Sequence, residues 1–530
     1  MSNILEAGQY PVFTMLALDD SAFNFRSGLG YHITKPTVIN KPVLTPAANR
    51  DAPDAGAAHF YGSIICDEGK YRMWYYAVHF GKNPDWDEEK VKDLEEWKND
   101  HIQGPVCYAE SEDGINWMKP ALRQVKFKGS FENNVIDLPN TFTSCVNVIK
   151  DEGDPDPARR YKMVYQYWVW NKNATRGERC ACMRTATSHD GIHWTAGVRS
   201  PINEFVEWCG FYKYNGYYII NAHTASPFQF GYDGKSMGRQ GVVWISPDFD
   251  NWISESAFSF TLSEPEAIPE RGQKGLYDQV HLGTAAMNYG NVLAGIYCRW
   301  RNDRDFSKIS GDLCFVISND GIRFREPEKG LVWLKSEEFP ATPASKVPGK
   351  TVLCQSNGFI NVGNETRIYL GKWFNAVHFK DYYAEIGYVT IPRDRWGCYQ
   401  LWDKYNGGSK DILIPELKDM LDISGKGTLW SEPVRLPKEN FEVFFNAAGA
   451  LGISLELHTE RFSPLGGYTG SIQDDNGFEL PLSMKKDIGG LKGQVVRFKF
   501  NFKRSAGVEP KLYAMYIRKV GHCHLLQQSC

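Results

Sequence analysis

The sequence predicts an all-β chain: a five-bladed β-propeller over residues 30–405, followed by a C-terminal β-sandwich over residues 427–520. Three observations predict it. A short turn motif recurs four times, an aromatic strand pair recurs ahead of it, and beyond residue 426 apolar residues alternate with period two.

The turn motif comes first. Ser111-Glu-Asp-Gly-Ile-Asn-Trp117 returns as Ser188-His-Asp-Gly-Ile-His-Trp194, Ser246-Pro-Asp-Phe-Asp-Asn-Trp252 and Ser318-Asn-Asp-Gly-Ile-Arg-Phe324, with starts 77, 58 and 72 residues apart. Those spacings suit one four-stranded blade with its loops. Asp-Gly supplies a turn with positive φ, the Ser and Asp side chains take turn amides, and the aromatic staples the outer strands. The motif is therefore read as structural.

The second repeat is a strand, a turn and an aromatic strand. Its copies start at His59, Thr143, Glu207, Asp278 and Cys354, the last with outer strands near Ala384 to Leu401. Five such units remove exposed sheet edges by closing on themselves. Asp85 to His101 lacks Gly and Pro, spaces Val91, Leu94 and Trp97 along one face, and reads as a surface helix inserted in the first blade. Residues 1–29 are set apart as an N-terminal segment, 406–426 as a linker with a short helical stretch, and 521–530 as a tail.

Composition limits the partners. Sixty Lys and Arg against 63 Asp and Glu give a net charge of −3, which lacks the basic excess of a nucleic-acid binder. No apolar run is long enough for a membrane helix. Met1 to Phe13 has neither a basic n-region nor an apolar h-region, so the expectation is a cytoplasmic chain. The 12 scattered cysteines then read as buried thiols rather than a disulfide framework. Sixteen Trp and 27 Tyr fit large β cores, and equally fit sugar recognition, because aromatic faces pack on the C–H face of a sugar ring.

In a propeller the starts of the innermost strands converge on one funnel. Here those positions bring His59, Thr143 with Ser144, Glu207, Asp278 with His281, and Gln355. Carboxylates, imidazoles and an amide converging on one pocket make a site for a polar ligand. His79 and His223, near the ends of second strands, are expected farther from the axis.

The stretch Val206-Glu207-Trp-Cys-Gly-Phe-Tyr-Lys-Tyr-Asn-Gly-Tyr-Tyr-Ile219 resembles the third blade of the family 43 glycoside hydrolases, and its Glu-Trp-Cys start is similar to the Glu-Cys pair of family 32. The resemblance implies that Glu207 is a general acid/base. An acid working near neutral pH needs a raised pKa, which burial beside Trp208 and neighbouring tyrosines would supply. Elsewhere the chain departs from those families. The first blade offers His59 where they carry an Asp, and the second offers Thr143 and Ser144. Asp278, or else Asp54, is the expected second carboxylate that glycoside hydrolysis requires; Asp51 and Asp137 are weaker candidates.

The function expected is glycoside hydrolysis of a small oligosaccharide, with Glu207, Asp278 and Asp54 catalytic. His59, Ser144, Trp208, His281, Arg299 and Gln355 would bind substrate. The alternatives are a glycoside phosphorylase or lyase on the same scaffold, or a non-catalytic sugar-binding propeller. No cofactor is required, although His59, Glu207 and His281 form an alternative divalent-metal set. Arg299, Arg301 and Arg304 either clamp an anionic group or pair at the surface with Asp303 and Asp305. The partners expected are a small carbohydrate and a second copy of the chain in a homo-oligomer.

Overall fold

The computed structural model describes residues 4–86, 101–170, 179–199, 202, 206–224, 239–262, 278–301, 309–342, 351–374, 382–402, 425–504 and 508–522. The regular elements described are β-strands and four short 3-10 turns, so the chain is all-β as expected. The surface helix expected over Asp85 to His101, the linker helix and Arg304 lie largely or wholly outside these residues.

Five antiparallel meanders follow one another. The first holds Ala57–Asp67, Lys70–Phe80 and His101–Ser111. The second holds Thr143–Lys150, Tyr161–Trp170, Arg179–Ser188 and Thr195–Arg199; the third, Val206–Tyr214, Tyr217–Thr224, Gly241–Ser246 and Ala257–Phe260. The fourth holds Gln279–Asn288, Leu293–Arg301, Ser310–Ser318 and Val332–Leu334. In the fifth, Thr351–Cys354 and Phe359–Val362 both pair with Glu365–Phe374, which pairs with Tyr383–Pro392. Thr37–Leu44, supplied from the N-terminal side of the chain, is the outermost strand of the fifth meander, which a parallel pairing of Gly311 with Val352 joins to the fourth in one nine-stranded sheet.

The repeated turn forms the same hydrogen bonds in every copy. Ser111 Oγ accepts the Gly114 N–H at 2.9 Å, and Asp113 Oδ1 accepts those of Ile115 and Asn116 at 2.8 and 2.7 Å. Ser188 with Asp190, Ser246 with Asp248 and Ser318 with Asp320 repeat the pattern. The third copy puts Phe249 at φ +74° where the others have Gly.

Each turn also docks on the preceding sheet. Gly191 O of the second sheet accepts Trp74 Nε1 of the first at 2.9 Å, and Gly321 O of the fourth accepts Tyr212 OH of the third at 2.8 Å. Asp250 of the third takes Arg159 of the second. Gly114 O of the first accepts Tyr369 OH of the fifth at 2.9 Å, and Asp394 of the fifth takes Tyr289 OH of the fourth at 2.8 Å. The order of docking is cyclic.

The remaining strands build a 13-stranded sheet that curls around a core of its own, including Met15, Leu429, Phe445, Leu455, Phe498 and Phe500. The N-terminal segment belongs to it: Leu5–Glu6, Val12–Leu16 and Phe23–Ser27 pair with Val434–Arg435, Lys511–Lys519 and Lys426–Ser431. So does Gly397–Leu401, which the sequence places with the fifth blade and the structure pairs with Leu29–Ile33 and Lys511–Lys519. Buried Asp394 fastens this sheet to the fourth and fifth meanders, accepting Tyr516 OH at 3.1 Å and Asn361 Nδ2 at 3.0 Å besides Tyr289. Eight described cysteines are free and buried; Cys66 departs from that expectation and is disulfide-bonded.

Candidate active site

The first strand of each of the first four meanders breaks register at one level. The shifts fall between His59 and Ser63, at Cys145 and Val146, at Cys209, and between His281 and Thr284. Cys145 and Leu282 take positive φ, +47° and +66°. In the fifth sheet the break is the stretch between Cys354 and Phe359. A bulge bends its strand and re-aims the residues beside it.

Polar side chains knit the strands together at these breaks. Gln355 Nε2 donates to His281 O and Gly283 O at 2.8 and 2.7 Å, and Asn147 Nδ2 donates to Gly62 O at 2.7 Å. Asn357 Nδ2 donates to Phe211 O at 2.6 Å. The packing is close: a Cβ on Gly210 would stand 2.0 Å from Thr284 O. Beyond the breaks the same strands line a small recess of about 100 Å³.

On the N-terminal side of the breaks the structure gathers an acid, three imidazoles and a guanidinium. Glu207 lies opposite His223 across the hairpin, and His223 Nε2 stands 3.3 Å from its carboxylate. The Leu282 N–H donates to His223 Nδ1 at 2.6 Å, so the ring's proton sits on Nε2, facing the acid. His223 is therefore at the centre of the cluster, not distant from it as the sequence suggests. His281 stacks on His223 at 5.7 Å. His59 stacks on Tyr76 at 4.6 Å, with Tyr61 and Trp373 against its edges. Trp300 lies 4.6 Å from His281 and beneath the Arg239 guanidinium.

Several buried polar atoms in this cluster have no protein partner: both nitrogens of His59, Nδ1 of His281, Nε1 of Trp373 and Oε1 of Gln355. Buried polar atoms are satisfied in stable proteins, so these mark where a polar ligand or water belongs. Glu207 keeps 21% of its side chain exposed within this setting.

The electrostatics oppose the expected raised pKa. Burial pushes the Glu207 carboxyl up, but the His223 contact and the positive field of Arg239 outweigh it, and the group lies below the ordinary glutamate value. Burial likewise pushes His59 down to about 3 and His223 to about 4, and holds His281 well below its usual value. At neutral pH the site carries an ionised Glu207, neutral imidazoles and the Arg239 cation.

The other expected residues fall elsewhere. Asp278, 2% exposed, contacts Arg299 Nε at 3.0 Å and Arg301 Nη1 at 3.4 Å, and Arg301 also takes Asp312. Arg299 and Arg301 are thus paired with aspartates. Asp54, 1% exposed, contacts Lys119 and accepts Tyr75 OH at 2.8 Å, on the strand face opposite Tyr76 and His59. Ser144 hydrogen-bonds Gln166, whose amide reaches Val206 O beside Glu207. Trp208 is fully buried in the core. Among the described residues no group of three His, Cys, Asp or Glu side chains is arranged to hold a metal ion.

No family model matches the chain. Two uncharacterised proteins of Mycobacterium tuberculosis, from strains CDC 1551 / Oshkosh and H37Rv, are 31% and 30% identical over 134 residues, 25% of this chain. The matched stretch spans 32% of those relatives. Similar solved structures include one reported for the GH130 family of mannoside phosphorylases containing glycoside hydrolases that target beta-1,2 mannosidic linkages in Candida mannan. It has a TM-score of 0.41 and 12% identity, covering 68% of this chain and 95% of that one. A putative glycoside hydrolase from Bacteroides ovatus gives 0.41 and 15%, covering 67% and 96%. The family 117 glycoside hydrolase Zg3597 of Zobellia galactanivorans gives 0.35 and 15%, covering 75% and 98%. The chain's own residues decide the functional reading.

Proposed function

We propose that the five meanders form a five-bladed propeller, with the curled sheet as a sandwich beside it, and that the chain is a carbohydrate-active enzyme acting on a glycosidic bond of a small saccharide. The observation that carries this reading is the Glu207–His223 pair, set among unpartnered polar atoms and ringed by Tyr61, Tyr76, Trp300 and Trp373. Aromatic faces suit the C–H surfaces of a sugar, and the partnerless nitrogens and amide oxygen suit its hydroxyls.

Glu207 is the acid/base and enters the cycle ionised, ready to accept a proton from water or from a substrate hydroxyl. In hydrolysis Glu207 would take a proton from the attacking water and return it to the leaving oxygen. A phosphorylase or lyase is the second reading, favoured because Asp278 and Asp54 are both held by cations. Phosphate brings its own nucleophile, and a lyase needs a base more than a second carboxylate.

The test is turnover of wild type and Glu207→Gln on aryl glycosides and short oligosaccharides, with and without phosphate and with and without a chelator. Loss of turnover with retained sugar binding supports the assignment. Full activity in Glu207→Gln refutes it. Turnover only with phosphate selects the phosphorylase, and sugar binding without turnover in wild type selects the non-catalytic reading.

A further inference from the structure

The outward face of the curled sheet carries a second polar surface, independent of the Glu207 cluster. Two cross-strand rows run over it. One is Phe25, Trp430, Lys499, Glu456 and Thr469 in register; the next is Ser27, Thr428, Asn501, Ser454 and Ser471. The alternate residues Leu429, Phe500 and Leu455 point into the core. The second row floors an open recess of about 610 Å³, flanked by Leu451, 63% exposed, and by Lys426 and Lys503.

The row beside the recess, outside its lining, carries an aromatic cluster. Phe25 and Phe462 are 49% and 45% exposed, and Phe462 packs edge-on to Phe25 at 5.8 Å and to Trp430 at 5.3 Å. Phe462 takes φ +64°, a costly conformation for a bulky residue, with Arg497 stacked on its ring at 4.3 Å. At the opposite side Lys426 and Lys503 sit directly across from each other. Like charges so placed repel, and neither lysine has an ion-pair partner among the described residues.

We infer that this face binds an acidic oligosaccharide. The aromatic cluster beside the recess takes the C–H face of a sugar ring, and the Ser27, Thr428 and Ser454 hydroxyls take the sugar's hydroxyls, while Asn501 Nδ2 is engaged by Glu456 at 2.9 Å. Lys426 and Lys503 take a carboxylate, which relieves their mutual repulsion. Half-exposed rings of this size offer on the order of 200–300 Å². A stable protein interface needs about 800 Å² per partner, so the patch fits one or two sugar rings better than a protein. The inference stands on these residues and not on the reaction proposed for Glu207.

Titration of the full-length protein with uronate oligosaccharides of three to six residues, and with neutral oligosaccharides of the same length, tests it by calorimetry. Wild type should bind the uronates. Trp430→Ala should weaken that binding about tenfold, the effect of losing one stacking contact. Lys426→Gln with Lys503→Gln should weaken uronate binding and leave any neutral-sugar binding unchanged. Glu207→Gln should leave uronate binding at this face intact, which separates the outcome from that of the propeller site. Absence of uronate binding in wild type overturns the inference. So does equal binding by wild type, Trp430→Ala and the lysine pair variant, with unchanged melting temperatures showing that all three are folded.

Discussion

His223 presents Nε2 to the Glu207 carboxylate at 3.3 Å while its Nδ1 accepts the Leu282 N–H at 2.6 Å. One backbone amide in the fourth meander therefore fixes the tautomer of a histidine in the third. That tautomer helps keep Glu207 ionised. His223→Phe removes the contact and leaves burial as the largest influence on the acid, so the Glu207 pKa should rise. The acid limb of the pH–rate profile should then move to higher pH. His223→Gln keeps an N–H donor and should shift the limb less. Equal profiles for wild type and His223→Phe would separate His223 from the chemistry.

The same pair shows what the sequence conceals. The hairpin closes with Tyr214 opposite Tyr217, and an unbroken register would put Glu207 opposite Thr224. The bulge at Cys209 moves the pairing by one and brings His223 to the acid instead. Repeats and period-two alternation are local patterns, so the succession of meanders and the starts of their first strands were readable. A bulge is set by packing between sheets, here by the approach of Gly210 to Thr284, and left no local signal. The pairing of Asp278 was hidden for a related reason. The Arg-Trp-Arg run was visible, but only alternation along Leu293–Arg301 shows Arg299 and Arg301 taking Asp278 while Trp300 turns to His281.

The buried imidazoles predict a steep loss of stability in acid. His59 and His223 hold pKa values of about 3 and 4 when folded, against 6.5 when unfolded. Below pH 6.5 the unfolded chain takes up protons that the folded chain refuses, so stability falls as pH falls. Each histidine contributes a slope approaching about 1.4 kcal/mol per pH unit until its folded pKa is reached. Glu207 adds to the loss at lower pH, because its depressed pKa stabilises the fold above the unfolded glutamate value and that contribution disappears on protonation. Urea unfolding of wild type and His59→Phe between pH 7 and 4.5 should give a visibly shallower decline in the variant. Parallel declines would show that His59 titrates alike in both states.

Lys372 and Glu385 form a fully buried ion pair at 2.7 Å in the fifth meander, with the Thr342 N–H and Tyr383 OH also donating to the carboxylate. Removing one partner strands the other charge, so Lys372→Met should cost about 3–5 kcal/mol. Replacing both, as Lys372→Met with Glu385→Leu, should cost distinctly less than Lys372→Met alone. Denaturant unfolding of the two variants checks this, and a double variant as unstable as the single one would show that the hydrogen bonds of Glu385, more than its charge, hold this sheet together.

Gly210 links the fold most directly to the site. Its Cα lies where a methyl group would meet Thr284 O at 2.0 Å and the Asn221 side chain at 3.1 Å, one residue beyond the bulge that sets Glu207 opposite His223. Gly210→Ala must push the third and fourth meanders apart or flatten the bulge. Overpacking of this kind costs about 1–3 kcal/mol, which a domain of this size survives. The larger effect should fall on catalysis, because misplacing an acid/base group forfeits much of the ~10²–10⁴-fold it contributes. The expected result is a modest fall in melting temperature, with kcat reduced by at least tenfold and saccharide binding largely retained. Unchanged kcat in a stably folded Gly210→Ala protein would mean that the geometry at Glu207 does not depend on this bulge.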